Sequence, residues 1–203
     1  MPESKLQPTI VDFLRHGDVL GENCFRGVTD DPLTEQGWQQ MYQQCQGRHW
    51  QALISSPLRR CASFAAVWAQ EHQLPWVNEP NLMEIDFGDW EGQTAEQISR
   101  YAPNALNKFY LDPAGFTPPN AESYAHFAQR IQQAWDKVIT QYAGQHVLVI
   151  THAGVIRLLF SQLLGITPQQ SFQIEVPHAC LSRFSCFDDE VGRFVQLNFH
   201  KPV

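Results

Sequence analysis

Two rhythms of apolar residues run through this chain. Short, nearly continuous apolar runs alternate with longer stretches in which apolar side chains recur every three or four positions. The runs Thr9–Leu14, Ala52–Ser56 and His146–Ile150 read as strands buried in a largely parallel sheet, and Gln73–Val77 as a shorter one. Trp38, Met41, Tyr42 and Cys45 recur at helical spacing behind Thr34, a fitting N-cap. Cys61, Phe64, Ala65 and Trp68 do the same behind Pro57, which suits a first helical turn. Thr94-Ala95-Glu96-Gln97 has the wording of a capping box and starts a helix. Tyr124, Phe127, Ile131, Trp135, Val138 and Tyr142 form one stripe of a helix over Glu122–Tyr142. Val155–Leu164 is a strongly apolar helix, closed by Gly165.

The remaining stretches are less regular. Tyr101–Pro119, rich in Pro and Asn, reads as irregular; with the helix before it, it makes a small cap over a pocket, around residues 94–122. Phe172–Val176 reads as an edge strand. Cys180–Phe187 and Phe194–Phe199 read as a hairpin about the acidic turn Asp188–Gly192. The alternation of strand and helix predicts an α/β fold, a three-layer α/β/α sandwich around a mostly parallel mixed sheet. At 203 residues the chain suits one domain, 1–203, with a full core.

Composition narrows the partners. Hydrophobic residues at 43% and charged residues at 17% argue for a folded globular chain over disorder. A formal net charge of −7 disfavours nucleic acid and anionic membrane surfaces as partners, so an anionic small molecule needs a local basic pocket. The five cysteines are scattered, with no Cys-x-x-Cys pair, which fits reduced thiols in a cytoplasmic protein. Met1–Pro8 is polar and lacks the apolar core of a signal peptide. The apolar helix Val155–Leu164 is too short to span a bilayer and contains Arg157. The oligomeric state, a homodimer included, is left open by the sequence.

The chemistry concentrates at strand ends. The first strand closes on Arg15-His16-Gly17 and the later one on Thr151-His152-Ala153-Gly154. In α/β sheets ligands bind just beyond the carboxyl ends of the strands. His152 also stands at a helix start, where free amide groups and the helix dipole favour an anion. Asp18–Asp31 is long for a connector, as functional loops often are. Arg59 and Arg60 sit at a helix N-terminus, where the dipole disfavours cations, so one of them is expected to reach an anion; spacing does not choose between them.

Leu82–Gly92 interleaves Glu84, Asp86, Asp89 and Glu91 with large apolar groups, a setting for a general acid; Asp89 and Glu91 read as solvated. His49, His72, His126, His178 and His200 pair with nothing by spacing and read mostly as surface residues. Several cations around one anion suit a phosphoryl group. His16, unprotonated at its reactive nitrogen, is suited to attack phosphorus. No Cys-to-Arg loop, P-loop, His-Glu-x-x-His pair or Gly-x-Ser-x-Gly elbow competes with this reading. Phe25, Trp90, Tyr110 and Phe116 are available either to stack on an aromatic base or to pack internally.

Taken together these segments resemble the histidine phosphatase superfamily, the phosphoglycerate mutase-like proteins. Leu14-Arg15-His16-Gly17 is similar to its Arg-His-Gly motif, and Asp30–Gly37 to the segment after the first loop. Ser56-Pro57-Leu58-Arg59-Arg60-Cys61 resembles its Ser-x-Leu-x-Arg-Ala motif, Leu82–Gly92 its proton-donor segment, and Thr151–Gly154 its second-histidine motif. The resemblance implies a phosphoglycerate mutase-like fold and a phosphohistidine mechanism that requires no metal or other cofactor. His16 would be the nucleophile. Arg15, Arg60 and His152 would hold the phosphoryl oxygens, and Glu84 would protonate the departing oxygen and then activate water.

The resemblance also makes Asn23 the candidate for the asparagine with which the family touches phosphate. Within the superfamily, the short length, Phe87–Glu91, Phe116–Ser123 and Gly154–Leu164 look most like the alpha-ribazole phosphatases. That likeness implies alpha-ribazole 5′-phosphate of cobalamin synthesis as the small phosphorylated metabolite. The alternatives are a broader sugar or phosphoglycerate phosphatase, a phosphoglycerate mutase, and, from another class, a catalytically idle protein that binds phosphorylated ligands.

Overall fold

The computed structural model describes residues 7–203, so most of the polar Met1–Pro8 stretch, and the expectation attached to it, lies outside the described residues. Six strands form one mixed sheet: β1 (Thr9–Arg15), β2 (Ala52–Ser55), β3 (Trp76–Asn78), β4 (His146–Thr151), β5 (Leu181–Asp189) and β6 (Gly192–Lys201). Their spatial order is β3-β2-β4-β1-β5-β6. The first four run parallel, and β5 and β6 add antiparallel to the β1 edge. Parallel neighbours need crossover helices, which supply the outer layers.

Alternation along the strands assigns each residue to one layer. Val11, Phe13, Val147 and Val149 face α5 (Tyr124–Gln141) and α6 (Ala153–Leu164). Leu14, Leu148 and Ile150 face α1 (Glu35–Cys45) and α2 (Arg59–His72). The sheet is therefore sandwiched between two helical layers, as the alternating pattern predicts. The helix starts follow local chemistry: Thr34, Thr94 and Ser123 each accept an amide at their helix N-terminus. At α2 no side chain of the cap residue Leu58 does so; Asp30 Oδ1 instead accepts the Arg59 amide at 2.6 Å, a carboxylate where the dipole favours one.

Three segments depart from the sequence reading. Tyr101–Pro119 is not irregular throughout, because α3 (Ala95–Tyr101) is followed by α4 (Ala105–Leu111). Asn104, at φ 72°, reverses the chain between them, so Pro103 and Asn104 punctuate two helices. Ile98 and Phe109 bury against Trp90 and gather Phe25, Phe87, Phe116 and Phe172 in a small aromatic cluster. Phe172–Val176 is not a strand: α7 (Pro168–Ser171), started by a Thr167–Gln170 capping box, leads into irregular chain, and the sheet edge is already taken by β6. The third strand begins late, at Trp76, because Gln73 adopts φ 55° to close α2. Among the described residues no helix is long and apolar enough to cross a membrane.

Candidate active site

The pairing of β1 with β4 builds the site. The two strands are parallel and in register, with Leu14 opposite Ile150 and Arg15 opposite Thr151. The next residues, His16 and His152, are thereby delivered side by side although 136 positions separate them in the chain. Their ring centres are 5.3 Å apart, tilted by 58°. The His16 amide, donating to Thr151 O at 2.9 Å, continues the ladder to that point. Gly17 then crosses Gly37 so closely that a Cβ on either would strike backbone of the other segment, which accounts for both glycines.

The His16 ring is oriented by its own turn. Nδ1–H donates to Gly17 O at 2.8 Å; a carbonyl only accepts, so the proton sits on Nδ1 and the Nε2 lone pair is available. Burial, then the positive charges of Arg15 and Arg60, push its pKa well below 6.5, so the ring is neutral at neutral pH. His152 is fully buried and depressed for the same reasons, burial first and Arg60 second. Its Nδ1 accepts from Arg60 Nε at 3.2 Å, and its Nε2–H donates to Ser56 Oγ at 2.8 Å.

Of the two arginines at the start of α2, Arg59 is exposed and Arg60 is fully buried. Besides His152, Arg60 donates to Thr29 O and Gly27 O, each at 2.7 Å. Arg15 donates from Nη1 to Val176 O at 2.7 Å, while its buried Nε has no partner among the described residues. Burial, with Arg157 and Arg60 adding and Glu84 opposing, lowers Arg15 to about 10. Glu84 is buried; Oε1 accepts the Ile85 amide at 3.0 Å and Oε2 the Gly154 amide at 2.9 Å. The segment that carries it is clamped by Arg130 of α5, which donates to the carbonyls of Asn81, Met83 and Glu84 at 2.6–2.9 Å and pairs with Glu122.

Arg15 and Glu84 open onto a cavity of about 430 Å³, with Asn23 on its exposed rim and Phe25, Tyr110 and Phe172 in its wall. The structure thus brings Arg15, His16, Arg60, Glu84 and His152 together. Arg60 and His152 direct their donors to internal partners, whereas Arg15, Glu84 and Asn23 face the cavity. Of the four rings set aside as possible base-stacking groups, Phe25 and Tyr110 line the cavity, while Trp90 is buried and Phe116 packs beside it.

Sequence reasoning missed several neighbours. His178, read with the surface histidines, is half-buried with its ring centre 5.6 Å from that of His16; burial, then Arg15, lowers it to about 4. Glu91 is not a solvated acid: its carboxylate accepts the amides of Gly27, Val28, Thr29 and Phe87 and the Thr29 hydroxyl, fixing the loop that covers Arg60. Nothing in the spacing flags these contacts, because they join loops. Arg157 did carry a signal, as the one charge in an apolar helix. Among the described residues no group of three or more His, Cys, Asp or Glu side chains is arranged to hold a metal ion.

Comparison with known proteins agrees with the fold. A family model described as the histidine phosphatase superfamily (branch 1) matches residues 11–200. A bifunctional protein of Mycobacterium tuberculosis is 31% identical over 182 residues, 86% of this chain and 50% of that protein. The chain spans about half the length of the mycobacterial relatives it matches. The adenosylcobalamin/alpha-ribazole phosphatase of Escherichia coli is 26% identical over 174 residues, 83% of this chain and 86% of that protein. Among solved structures, the mycobacterial glucosyl-3-phosphoglycerate phosphatase is similar in fold, with a TM-score of 0.83 at 24% identity over 94% of this chain and 97% of that one.

Proposed function

The chain belongs to the histidine phosphatase superfamily, and from that membership and the site geometry we propose that it hydrolyses phosphomonoesters through a phosphohistidine on His16. The observation that carries the reading is the His16 ring itself: neutral, with Nδ1–H tied to Gly17 O, and therefore presenting Nε2 as a nucleophile. Nε2 attacks phosphorus as the ester P–O bond breaks, and its electron pair leaves on the alcohol oxygen. Glu84 supplies the proton to that oxygen. Its carboxylate then takes a proton from water, the water oxygen bonds to phosphorus, and the P–N bond breaks with its electron pair returning to Nε2.

Arg15 receives the phosphoryl oxygens directly. The centre of the His152 ring is 5.3 Å from that of His16, and the ring accepts from Arg60; Arg60 and His152 stabilise the equatorial charge by exchanging their bonds to Gly27, Thr29 and Ser56 for phosphoryl oxygens. Asn23 reaches the phosphate or its ester from the cavity rim. Charge is balanced by these side chains, so the scheme calls for no metal.

The finer proposal is that the substrate is alpha-ribazole 5′-phosphate. The Escherichia coli relative and the aromatic wall of Phe25, Tyr110 and Phe172, suited to a flat ring, support it. The protein would act on this metabolite in a reducing, cytoplasmic compartment, which suits its five unpaired cysteines. The test is rapid-quench trapping with a panel of phosphomonoesters that includes alpha-ribazole 5′-phosphate and phosphoglycerates, the latter with and without a bisphosphate primer. An acid-labile phosphoenzyme is expected in the wild type and not in His16→Ala. Full turnover by a folded His16→Ala variant overturns the assignment, and primer-dependent phosphate exchange overturns hydrolysis in favour of mutase chemistry.

A further inference from the structure

The cavity wall holds a cation that the phosphoryl chemistry leaves unused. Arg157 lies on the same face of α6 as Ala153 and Gly154, and all three line the cavity. At the start of that face the Gly154 amide holds the Glu84 carboxylate. Arg157 follows one helical turn later, roughly 5 Å along the axis.

Its surroundings are unusual for a structural arginine. Arg130 and Arg183 are saturated with carbonyl or carboxylate partners. Arg157 has a buried Nε with no partner, and among the described residues its guanidinium makes no hydrogen bond or ion pair. Its contact is the Phe172 ring, with 5.5 Å from the guanidinium carbon to the ring centre. Burial lowers its pKa, with Glu84, Tyr110 and Glu175 acting in the opposite sense, so the charge is poorly solvated. A guanidinium against an aromatic face keeps its N–H donors in its own plane, free for a ligand.

We propose that Arg157 is a specificity-determining residue of the leaving-group subsite, donating to a hydrogen-bond acceptor on a ring-bearing alcohol whose flat faces rest on Tyr110 and Phe172. The proposal rests on the reading of the site as a phosphomonoesterase and deepens it by naming the class of leaving group. The favoured substrate is a phosphomonoester of an alcohol that carries both a flat ring and an exposed oxygen or ring-nitrogen acceptor. A bare hydrocarbon aryl ester fits the same wall but leaves the buried donor unpaired, which is costly. Carboxylates and the uncharged acceptors of a ribosylated heterocycle share this chemistry.

The test uses the whole chain and three esters: phenyl phosphate, 4-carboxyphenyl phosphate and alpha-ribazole 5′-phosphate. Arg157→Met, of similar length but without donors, is expected to raise KM about tenfold or more for at least one acceptor-bearing ester. Phenyl phosphate should be turned over within about twofold of wild type, which also reports an intact fold and intact chemistry. The ester that loses more identifies the acceptor as a carboxylate or an uncharged group. Arg157→Lys should restore part of the loss where that acceptor is a carboxylate. Equal losses on all three esters, or no loss on any, overturn the proposal. A wild type that leaves all three esters intact overturns instead the phosphomonoesterase reading beneath it.

Discussion

Glu84 and Gly154 are matched in space. The Gly154 amide donates to Glu84 Oε2 at 2.9 Å, and a Cβ at position 154 would collide with Glu84 Oε1. The atom in the way is the end of a flexible side chain, so Gly154→Ala displaces the carboxylate and leaves the helix intact; alanine is the better helix former. We expect kcat/KM for alkyl phosphates, whose leaving oxygen needs a proton, to fall by about a hundredfold. With 2,4-dinitrophenyl phosphate, whose leaving group needs none, kcat/KM should stay within a few-fold of wild type, because it reports transfer to His16 and not the later water attack that Glu84 also assists. Equal losses in kcat/KM with both substrates would show that Glu84 is not the proton donor.

Burial keeps His16 neutral, and the Arg15 charge reinforces it. After burial, the Arg15 charge is the largest influence that depresses the imidazole below 6.5. Removing that charge makes protonation easier and raises the folded-state pKa, so the nucleophile is lost at a higher pH on acidification. Arg15→Gln should therefore move the acidic limb of kcat/KM upward, in addition to weakening phosphate binding. Measuring both proteins with 2,4-dinitrophenyl phosphate keeps substrate ionisation common to the two curves. A limb that stays in place would separate Arg15 from the titration of His16.

Asp12 anchors the middle of the sheet. Its fully buried carboxylate accepts from Trp50 Nε1 at 2.8 Å, His146 Nε2 at 2.9 Å and Arg183 Nε at 2.7 Å. Burial alone would raise its pKa; these partners, Arg183 above all, outweigh it and hold the pKa below 3.8. Asp12→Asn should cost about 3 kcal/mol in urea unfolding at pH 7, because it breaks a buried pair and leaves Arg183 without its counter-charge. A carboxyl lowered on folding adds stability above its unfolded pKa and loses it as pH falls through the folded one. The gap between wild type and variant should therefore be constant above about pH 5 and narrow progressively below pH 4. A gap that does not change down to pH 2 would assign the loss to packing.

The sequence by itself determined the sandwich, because apolar period two and period three-to-four record which faces each element must bury. It also determined which residue types stand at the strand ends: Arg15, His16 and His152 are legible from an apolar run that stops at a charged group. Glu84 and the choice of Arg60 over Arg59 came from motif resemblance, and the structure supplies the physical difference, since one arginine is exposed and the other buried against His152.

What only the tertiary structure decided was everything carried by contacts between loops. The Glu91 staple, the Arg130 clamp, the approach of His178 to His16 and the placing of Arg157 against Phe172 in the cavity wall depend on segments that meet through folding and share no local period. The pairing of His16 with His152 lies between these cases: each was visible alone. Their separation of 5.3 Å exists because β1 and β4 are hydrogen-bonded in parallel register, a relation between distant strands that one-dimensional spacing does not encode.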